Sequence, residues 1–108
     1  MEEKNEVMSI KKASLRYQDE KSDKVYEVEI VYHGWNKYQV NFSYGRTGRK
    51  LKSDTKTKTP VSLNEAETIF DELVNYKQKR GYNISDFQHI YYEYLLEISL
   101  PERQKIIN

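Results

Sequence analysis

Alternating apolar and polar residues in the first half of the chain predict β-strands. A period-2 pattern begins at Ala13, after a polar and unpatterned lead at residues 1–12. Two longer runs then carry an aromatic or aliphatic side chain at every second position: Tyr26, Val28, Ile30 and Tyr32, followed by Tyr38, Val40, Phe42 and Tyr44. Residues 33–37 between them include Gly34 and Asn36, which predict a hairpin loop. We therefore expect these two runs to pair and to share one apolar face.

A fourth strand is predicted beyond the glycine-framed turn at residues 45–48. Between residues 50 and 59, charged positions alternate with Leu, Ser or Thr. This alternation places Asp54 on one face together with four lysines: Lys50, Lys52, Lys56 and Lys58. Pro60 ends the pattern, because proline has no N–H group to donate to a β-ladder.

The residues after Pro60 predict one main helix. Ser62 and Glu65 have the spacing of a capping box, and Gly81 is typical of the residue that follows a helix. Between them, one stripe repeats at helical spacing: Ala66, Ile69, Phe70, Leu73, Val74 and Lys77. Acidic residues dominate the first half and basic residues the last turn, which suits the helix dipole.

The C-terminal residues fit two patterns. A second capping-box spacing at residues 85–88 precedes a helical stripe that predicts a helical extension: Phe87, Ile90, Tyr91, Tyr94, Leu95 and Ile98. A strand would also fit residues 90–98, but the length of about a dozen residues favours a helix. Pro101 is suited to open a last short helix.

These patterns together predict an α+β fold with three parts. A four-stranded antiparallel β-sheet is packed by one main α-helix, with a helical C-terminal extension. The expected boundaries are a flexible lead at residues 1–12, a domain at residues 13–82 and the extension at residues 83–108.

Composition narrows the chemistry. The absence of cysteine excludes disulfides, thiolate zinc sites and thiol nucleophiles. The two histidines, His33 and His89, are far apart in the chain, and no Ser or Thr has a triad context. We therefore expect no metal, no cofactor and no enzymatic activity. No apolar run approaches the roughly 20 residues of a membrane span. The N-terminus lacks the pattern of a signal peptide, so we expect a cytoplasmic protein.

The net charge of +1 hides a strongly basic segment. Residues 33–60 carry seven basic side chains against Asp54 alone, whereas both flanking segments have an acidic excess. Such asymmetry indicates an anionic partner.

Several motifs in and around this segment match a known family in order: Leu15-Arg16-Tyr17, the residues from Asp23 to Val28, Tyr44-Gly45-Arg46-Thr47-Gly48, the residues from Lys56 to Val61, and Lys79-Arg80-Gly81-Tyr82. The chain resembles a WGR domain, above all the short bacterial type found in molybdate metabolism regulator-like proteins. The resemblance implies an antiparallel sheet packed by one helix.

The resemblance also implies a function. In poly(ADP-ribose) polymerases, the WGR domain helps to recognise DNA breaks, and its signature tryptophan packs on sugar at the broken end. Its signature arginine helps to relay the signal to neighbouring domains. Here Tyr44 stands at the tryptophan position, and Asp23 stands where break sensors often carry asparagine. A carboxylate facing phosphate would repel it. No ADP-ribosyl transfer is implied.

The first candidate site is Tyr44-Gly45-Arg46. Tyr44 would stack on a sugar or base, Gly45 would allow close backbone approach, and Arg46 would pair with phosphate or with a partner's carboxylate. The alternative is structural, with Tyr44 in the core, Gly45 shaping the turn and Arg46 capping the carboxylates of the helix.

The second candidate site is a row of basic side chains that would follow a phosphate backbone: Arg49, Lys50, Lys52, Lys56 and Lys58. Lysines on an edge strand also guard against aggregation, which is the alternative interpretation. Trp35 and Lys37 in the hairpin loop form a third candidate, as a stacking anchor or as a cap over the sheet edge.

The leading hypothesis is a non-catalytic module that binds DNA, in its narrower form at ends or nicks. The alternative is a protein-interaction or regulatory adaptor without nucleic-acid binding. In that case Arg46 and a tyrosine-rich stripe would dock a partner protein or a second copy of the chain: Tyr91, Tyr94, Leu95 and Ile98.

Overall fold

The computed structural model describes residues 7–89, which form five β-strands and one α-helix. In chain order these are β1 (Met8–Gln18), β2 (Asp23–Gly34), β3 (Lys37–Arg46), β4 (Lys52–Thr55), α1 (Leu63–Lys79) and β5 (Asn83–Gln88). All neighbouring strands are antiparallel, in the spatial order β4-β3-β2-β1-β5. The predicted α+β class is confirmed, but the predicted count of four strands is wrong.

The hairpin of β2 and β3 is the centre of the sheet. Its register places the two predicted runs directly opposite each other, from Tyr26 beside Tyr44 to Tyr32 beside Tyr38. Asn36 in the connecting turn has a positive φ of 55°, as predicted for a hairpin loop. All eight side chains therefore share the face that α1 covers, and most of them belong to the core.

Strand β1 begins earlier than the sequence pattern predicts. It starts at Met8, inside the stretch expected to be a loose lead, and the side chain of Ile10 is completely buried. Lys11 is buried as well, because its ammonium pairs with Glu67 of α1 and lies 4.7 Å from the centroid of the Phe70 ring. A bulge between Ser9 and Lys11 interrupts the alternation that would have revealed this strand.

Strand β5 replaces the start of the predicted helical extension. Residues 83–88 pair with β1, so the capping-box spacing at residues 85–88 does not start a helix. The physical reason is that the outer edge of β1 needs hydrogen-bond partners, which β5 and the Ser85 hydroxyl supply. The remainder of the predicted extension, residues 90–108, lies outside the described residues.

Strand β4 is shorter than predicted. Only Lys52–Thr55 pair with β3. After Thr55 the chain bends, and the buried Thr57 accepts a hydrogen bond of 3.1 Å from the Val40 backbone N–H. Lys50 therefore precedes the strand, and Lys56 and Lys58 follow it.

Helix α1 has the predicted ends. Ser62 caps it, and the reciprocal hydrogen bonds with Glu65 form a capping box. Gly81 follows the C-cap with a φ of 101°, and the N–H of Tyr82 donates to the Lys77 carbonyl. Ala66, Phe70 and Val74 are the buried side chains of the predicted stripe.

In the described part of the chain, no helix has the length and apolarity to cross a bilayer.

Candidate nucleic-acid interface

Three stacked rings lead from the core to the surface at the end of β3. The Tyr26 and Phe42 ring centroids are 5.8 Å apart, and those of Phe42 and Tyr44 are 6.1 Å apart. Exposure rises along this row, from 4% for Tyr26 to 44% for Tyr44. Tyr44 therefore packs on Phe42 and is still partly exposed, so it is not a core residue, and its stacking on a ligand stays a prediction.

The glycine-framed turn after Tyr44 is anchored to the start of β2. The Thr47 backbone N–H donates to the Asp23 carbonyl at 2.9 Å, and the Thr47 hydroxyl donates to the Asp23 carboxylate at 2.6 Å. Arg49 closes the turn by donating its N–H to the Arg46 carbonyl at 3.1 Å. These bonds constrain the backbone of the turn that carries Arg46 and Arg49.

Asp23 is also the partner of Arg16 on β1. The Arg16 guanidinium donates to both carboxylate oxygens, at 2.8 and 2.7 Å, and Gln18 donates a third, longer bond of 3.2 Å. The hydrogen bonds from Arg16, and after them the one from Thr47, hold the pKa of Asp23 well below its usual range. Asp23 therefore stays ionised, with Arg16 beside it as counter-charge.

The turn and the start of β4 enclose a shallow depression of about 320 Å³, which we call the Tyr44 depression. Its lining brings together one exposed aromatic ring, one glycine and four cationic side chains: Tyr44, Gly45, Arg46, Arg49, Lys50 and Lys52. All six are predicted site residues. No ion pair within residues 7–89 involves any of the four cations.

The remaining lysines of the predicted row extend from the depression along the β3 edge. Lys52 lies opposite Tyr44 and Asp54 opposite Phe42, so both occupy the face that α1 covers. The Lys56 ammonium is 5.4 Å from the Phe42 ring centroid, and the exposed Lys58 follows the buried Thr57. Lys52 and Lys56 therefore lie on the same face of the sheet, although only the middle of the predicted row is strand.

Trp35 and Lys37 lie at the opposite end of β3. The indole is 67% exposed in the hairpin turn, so it is not folded over the sheet edge as a cap. At about 3.3 Å per residue, β3 separates Lys37 from Arg46 by about 30 Å. The structure does not bring this pair together with the Tyr44 depression.

Two basic residues that the sequence patterns did not assign to a site face the same surface. The Lys77 ammonium is 4.6 Å from the Tyr26 ring centroid and 5.1 Å from that of Tyr82, and the Lys24 ammonium is 5.1 Å from that of Tyr17. Lys77 was visible in the sequence only as the single polar member of the apolar helix stripe.

Two further kinds of site were considered from the sequence, a metal site and a docking surface for a partner protein. Between residues 7 and 89, no three His, Asp or Glu side chains converge as metal ligands would. Tyr91, Tyr94, Leu95 and Ile98, the residues of the alternative docking surface, lie outside the described part of the chain.

Comparison with known proteins identifies the family. A model of the WGR domain matches residues 11–88, which span all of β2, β3, β4, α1 and β5 and most of β1. No curated protein and no solved structure matches the chain. The family match covers well over half of the sequence and ends with β5, the strand that the sequence patterns missed. The chain therefore belongs to the WGR domain family.

Proposed function

We propose that this WGR domain is a non-catalytic DNA-binding module whose contact with DNA is centred on the Tyr44 depression. The observation that carries the proposal is the convergence of an exposed aromatic ring with four cationic side chains around one concave surface. Membership of the WGR family is consistent with a nucleic-acid-binding module.

Electrostatics supports an anionic ligand at this surface. Arg46, Arg49, Lys50 and Lys52 form no ion pair with any carboxylate in residues 7–89, so their charges are available to a ligand. Arginine and lysine side chains that neutralise phosphates release condensed counterions, which makes binding favourable and dependent on salt. The two arginines can also grip a phosphate through two parallel hydrogen bonds.

Tyr44 supplies the second kind of contact. Its ring packs on Phe42 and is partly exposed. Such a ring can serve as a platform for a sugar or an unstacked base, and base–aromatic stacking contributes about 1–3 kcal/mol per base. Because Tyr44 stands at the position of the family's signature tryptophan, the narrower form of the proposal is a preference for DNA ends or nicks. There the terminal sugar and base are accessible.

Fluorescence polarisation tests the proposal with labelled blunt, nicked and single-stranded DNA over a salt series. We expect binding that weakens with salt. Arg46→Ala should lower the slope of log K against log salt by about one contact, and Lys50→Ala/Lys52→Ala by about two. Lys12→Ala is the matched control, because Lys12 lies opposite Glu29 on the other face of the sheet.

Three results would refute the proposal or a part of it. Absence of binding to every DNA near 50 mM salt would reject DNA binding itself. Equal losses for Arg46→Ala and Lys12→Ala would reject the Tyr44 depression as the site. Equal affinity for nicked and continuous duplexes would reject only the preference for breaks.

A further inference from the structure

We propose that Lys24, Lys56 and Lys77 form a second phosphate-binding subsite, next to the Tyr44 depression, for another phosphate of the same DNA strand. The inference rests on the proposed function and extends it to a part of the surface that the C-terminal end of α1 builds.

The subsite is held in place by the aromatic row. Lys77 leaves the last turn of α1 and places its ammonium over Tyr26, whose ring stacks on Phe42. Lys56 approaches Phe42 from the loop after β4. Two of the three rings in the row, Tyr26 and Phe42, therefore lie beneath the ammonium groups of Lys77 and Lys56.

Aromatic faces attract a cation without neutralising it. Each of the three lysines lies within 6 Å of a ring centroid, the usual range of a cation–π contact. No ion pair within residues 7–89 includes Lys24, Lys56 or Lys77. Elsewhere in this part of the chain, buried Lys11 has Glu67 as its partner. No carboxylate in this part of the chain therefore neutralises the cluster, in which Lys77 is half-buried and Lys24 and Lys56 are exposed.

The charges of the cluster are close enough to oppose one another. Burial, followed by the positive charges of Arg80, Lys24 and Lys56, lowers the pKa of Lys77. An anion among these side chains would replace this repulsion by attraction. A phosphate, with several acceptor oxygens and a full negative charge, suits such a group of ammonium donors.

The spacing fits one strand of nucleic acid. Tyr26, which lies below the Lys77 ammonium, is directly opposite Tyr44 in the β2–β3 register, so Lys77 lies next to the Tyr44 depression. A strand held at the Tyr44 depression can therefore reach Lys77 with a neighbouring phosphate.

Lys77→Gln tests the subsite, with Lys79→Gln as the matched control. Both variants remove one positive charge from the last turn of α1, but Lys79 is exposed and contacts no aromatic ring within residues 7–89. The measurement is the slope of log K against log salt for binding to the nicked duplex. We expect Lys77→Gln to reduce the slope by about one contact, Lys79→Gln to leave it unchanged and Lys77→Arg to retain the wild-type slope.

The outcomes separate the two proposals. Failure of the wild type to bind any DNA would overturn the proposed function and this inference together. Wild-type binding that Arg46→Ala weakens, with equal slopes for Lys77→Gln and Lys79→Gln, would overturn the subsite alone. Circular dichroism and thermal unfolding of all variants would reveal a folding defect, and Lys77→Arg would still report on the charge if Lys77→Gln unfolds.

Discussion

The carboxylate of Asp23 accepts two hydrogen bonds from the guanidinium of Arg16, at 2.8 and 2.7 Å. The same carboxylate accepts a bond from Thr47 in the turn that carries Arg46. An acidic side chain beside the proposed phosphate site would normally repel the ligand, but Asp23 has its counter-charge in Arg16 within the sheet. Asp23 therefore orients the basic turn.

The first prediction compares the two aspartates near the interface. Asp23→Asn should weaken DNA binding, because the turn loses its charged anchor. Asp54→Asn should strengthen binding, because Asp54 lies beside the lysine row and forms no ion pair within residues 7–89. Fluorescence polarisation at fixed salt measures both variants. Tighter binding by Asp23→Asn would show that this carboxylate repels the ligand after all.

The stability of the protein in acid should depend on the pair of Asp23 and Arg16. Because the pKa of Asp23 is lowered in the folded state, its contribution to stability is present above the unfolded pKa of about 3.9 and is lost as the pH falls below it. Denaturant unfolding at pH 6 and pH 3 should show a smaller acid-induced loss for Asp23→Asn than for the wild type. Identical losses would mean that other carboxylates carry the acid sensitivity.

The second prediction concerns Tyr44 as a stacking platform. Tyr44→Ala should weaken binding to nicked or single-stranded DNA by about 1–3 kcal/mol, on the order of 5- to 150-fold. Tyr44→Trp should bind at least as tightly as the wild type, because it enlarges the ring. Tyr76→Ala is a control, since this ring is 54% exposed on α1. If Tyr44→Ala and Tyr76→Ala bind alike, Tyr44 has only a packing role.

The third prediction concerns Gly48 and Gly81, two glycines with positive φ near the proposed binding surface. Gly81 has a φ of 101°, and an added Cβ would lie 3.0 Å from Cε2 of Tyr17. Gly48 has a φ of 84°, and a Cβ added there would have open space around it. Gly48→Ala should therefore lower the free energy of unfolding by about 1–2 kcal/mol, the backbone cost alone.

Gly81→Ala should lower the free energy of unfolding by more than Gly48→Ala does, because the Tyr17 ring must also move. Urea unfolding of both variants gives the comparison. Equal losses would indicate that the Tyr17 ring yields without cost.

The fourth prediction is an alkaline transition that depends on Tyr26. Burial raises the pKa of this phenol to about 12 from its ordinary value of 10. Because the folded pKa is the higher one, the stabilisation is complete below pH 10 and is lost as the pH rises from 10 to 12.

Wild type should therefore lose about 1 kcal/mol more than Tyr26→Phe between pH 9 and pH 11. Denaturant unfolding at the two pH values provides the test, and the other tyrosines and lysines are common to both proteins. Parallel losses in the two proteins would place the Tyr26 hydroxyl in contact with solvent.

The parts of the fold that follow regular periods could be predicted from the sequence. The Tyr26-to-Tyr32 and Tyr38-to-Tyr44 runs alternate without interruption, and a two-strand register follows from such alternation. The ends of α1 were equally visible, since Ser62, Glu65 and Gly81 act through local backbone hydrogen bonds.

The parts of the fold that the sequence patterns did not predict depend on tertiary contacts. Ile10 and Lys11 belong to a bulged strand, and Lys11 is buried only because Glu67 comes from a distant helix. Strand β5 carries a capping-box pattern that would suit a helix, but its ladder with β1 determines its structure. No local pattern reports on a partner strand about seventy residues away in the sequence.

The residues of the candidate site also fall into two groups, those that the sequence could assign and those that it could not. The contiguous motif from Tyr44 to Lys52 could be assigned to one site, because a tight turn keeps its residues together. Lys77 and Lys24 could not, since they reach the surface from the end of α1 and the start of β2. Trp35 and Lys37 share the basic segment in sequence, but β3 carries them to the other end of the sheet.

The most direct measurement is a ¹H–¹⁵N NMR titration of the protein with a six-base-pair DNA hairpin near 50 mM salt. Such a duplex is about 20 Å long, shorter than the distance from Arg46 to Trp35. We predict the largest shifts at the backbone amides of residues 44–52, with the Trp35 indole unchanged. Shifts centred on Trp35, or none at all, would contradict DNA binding at the Tyr44 depression.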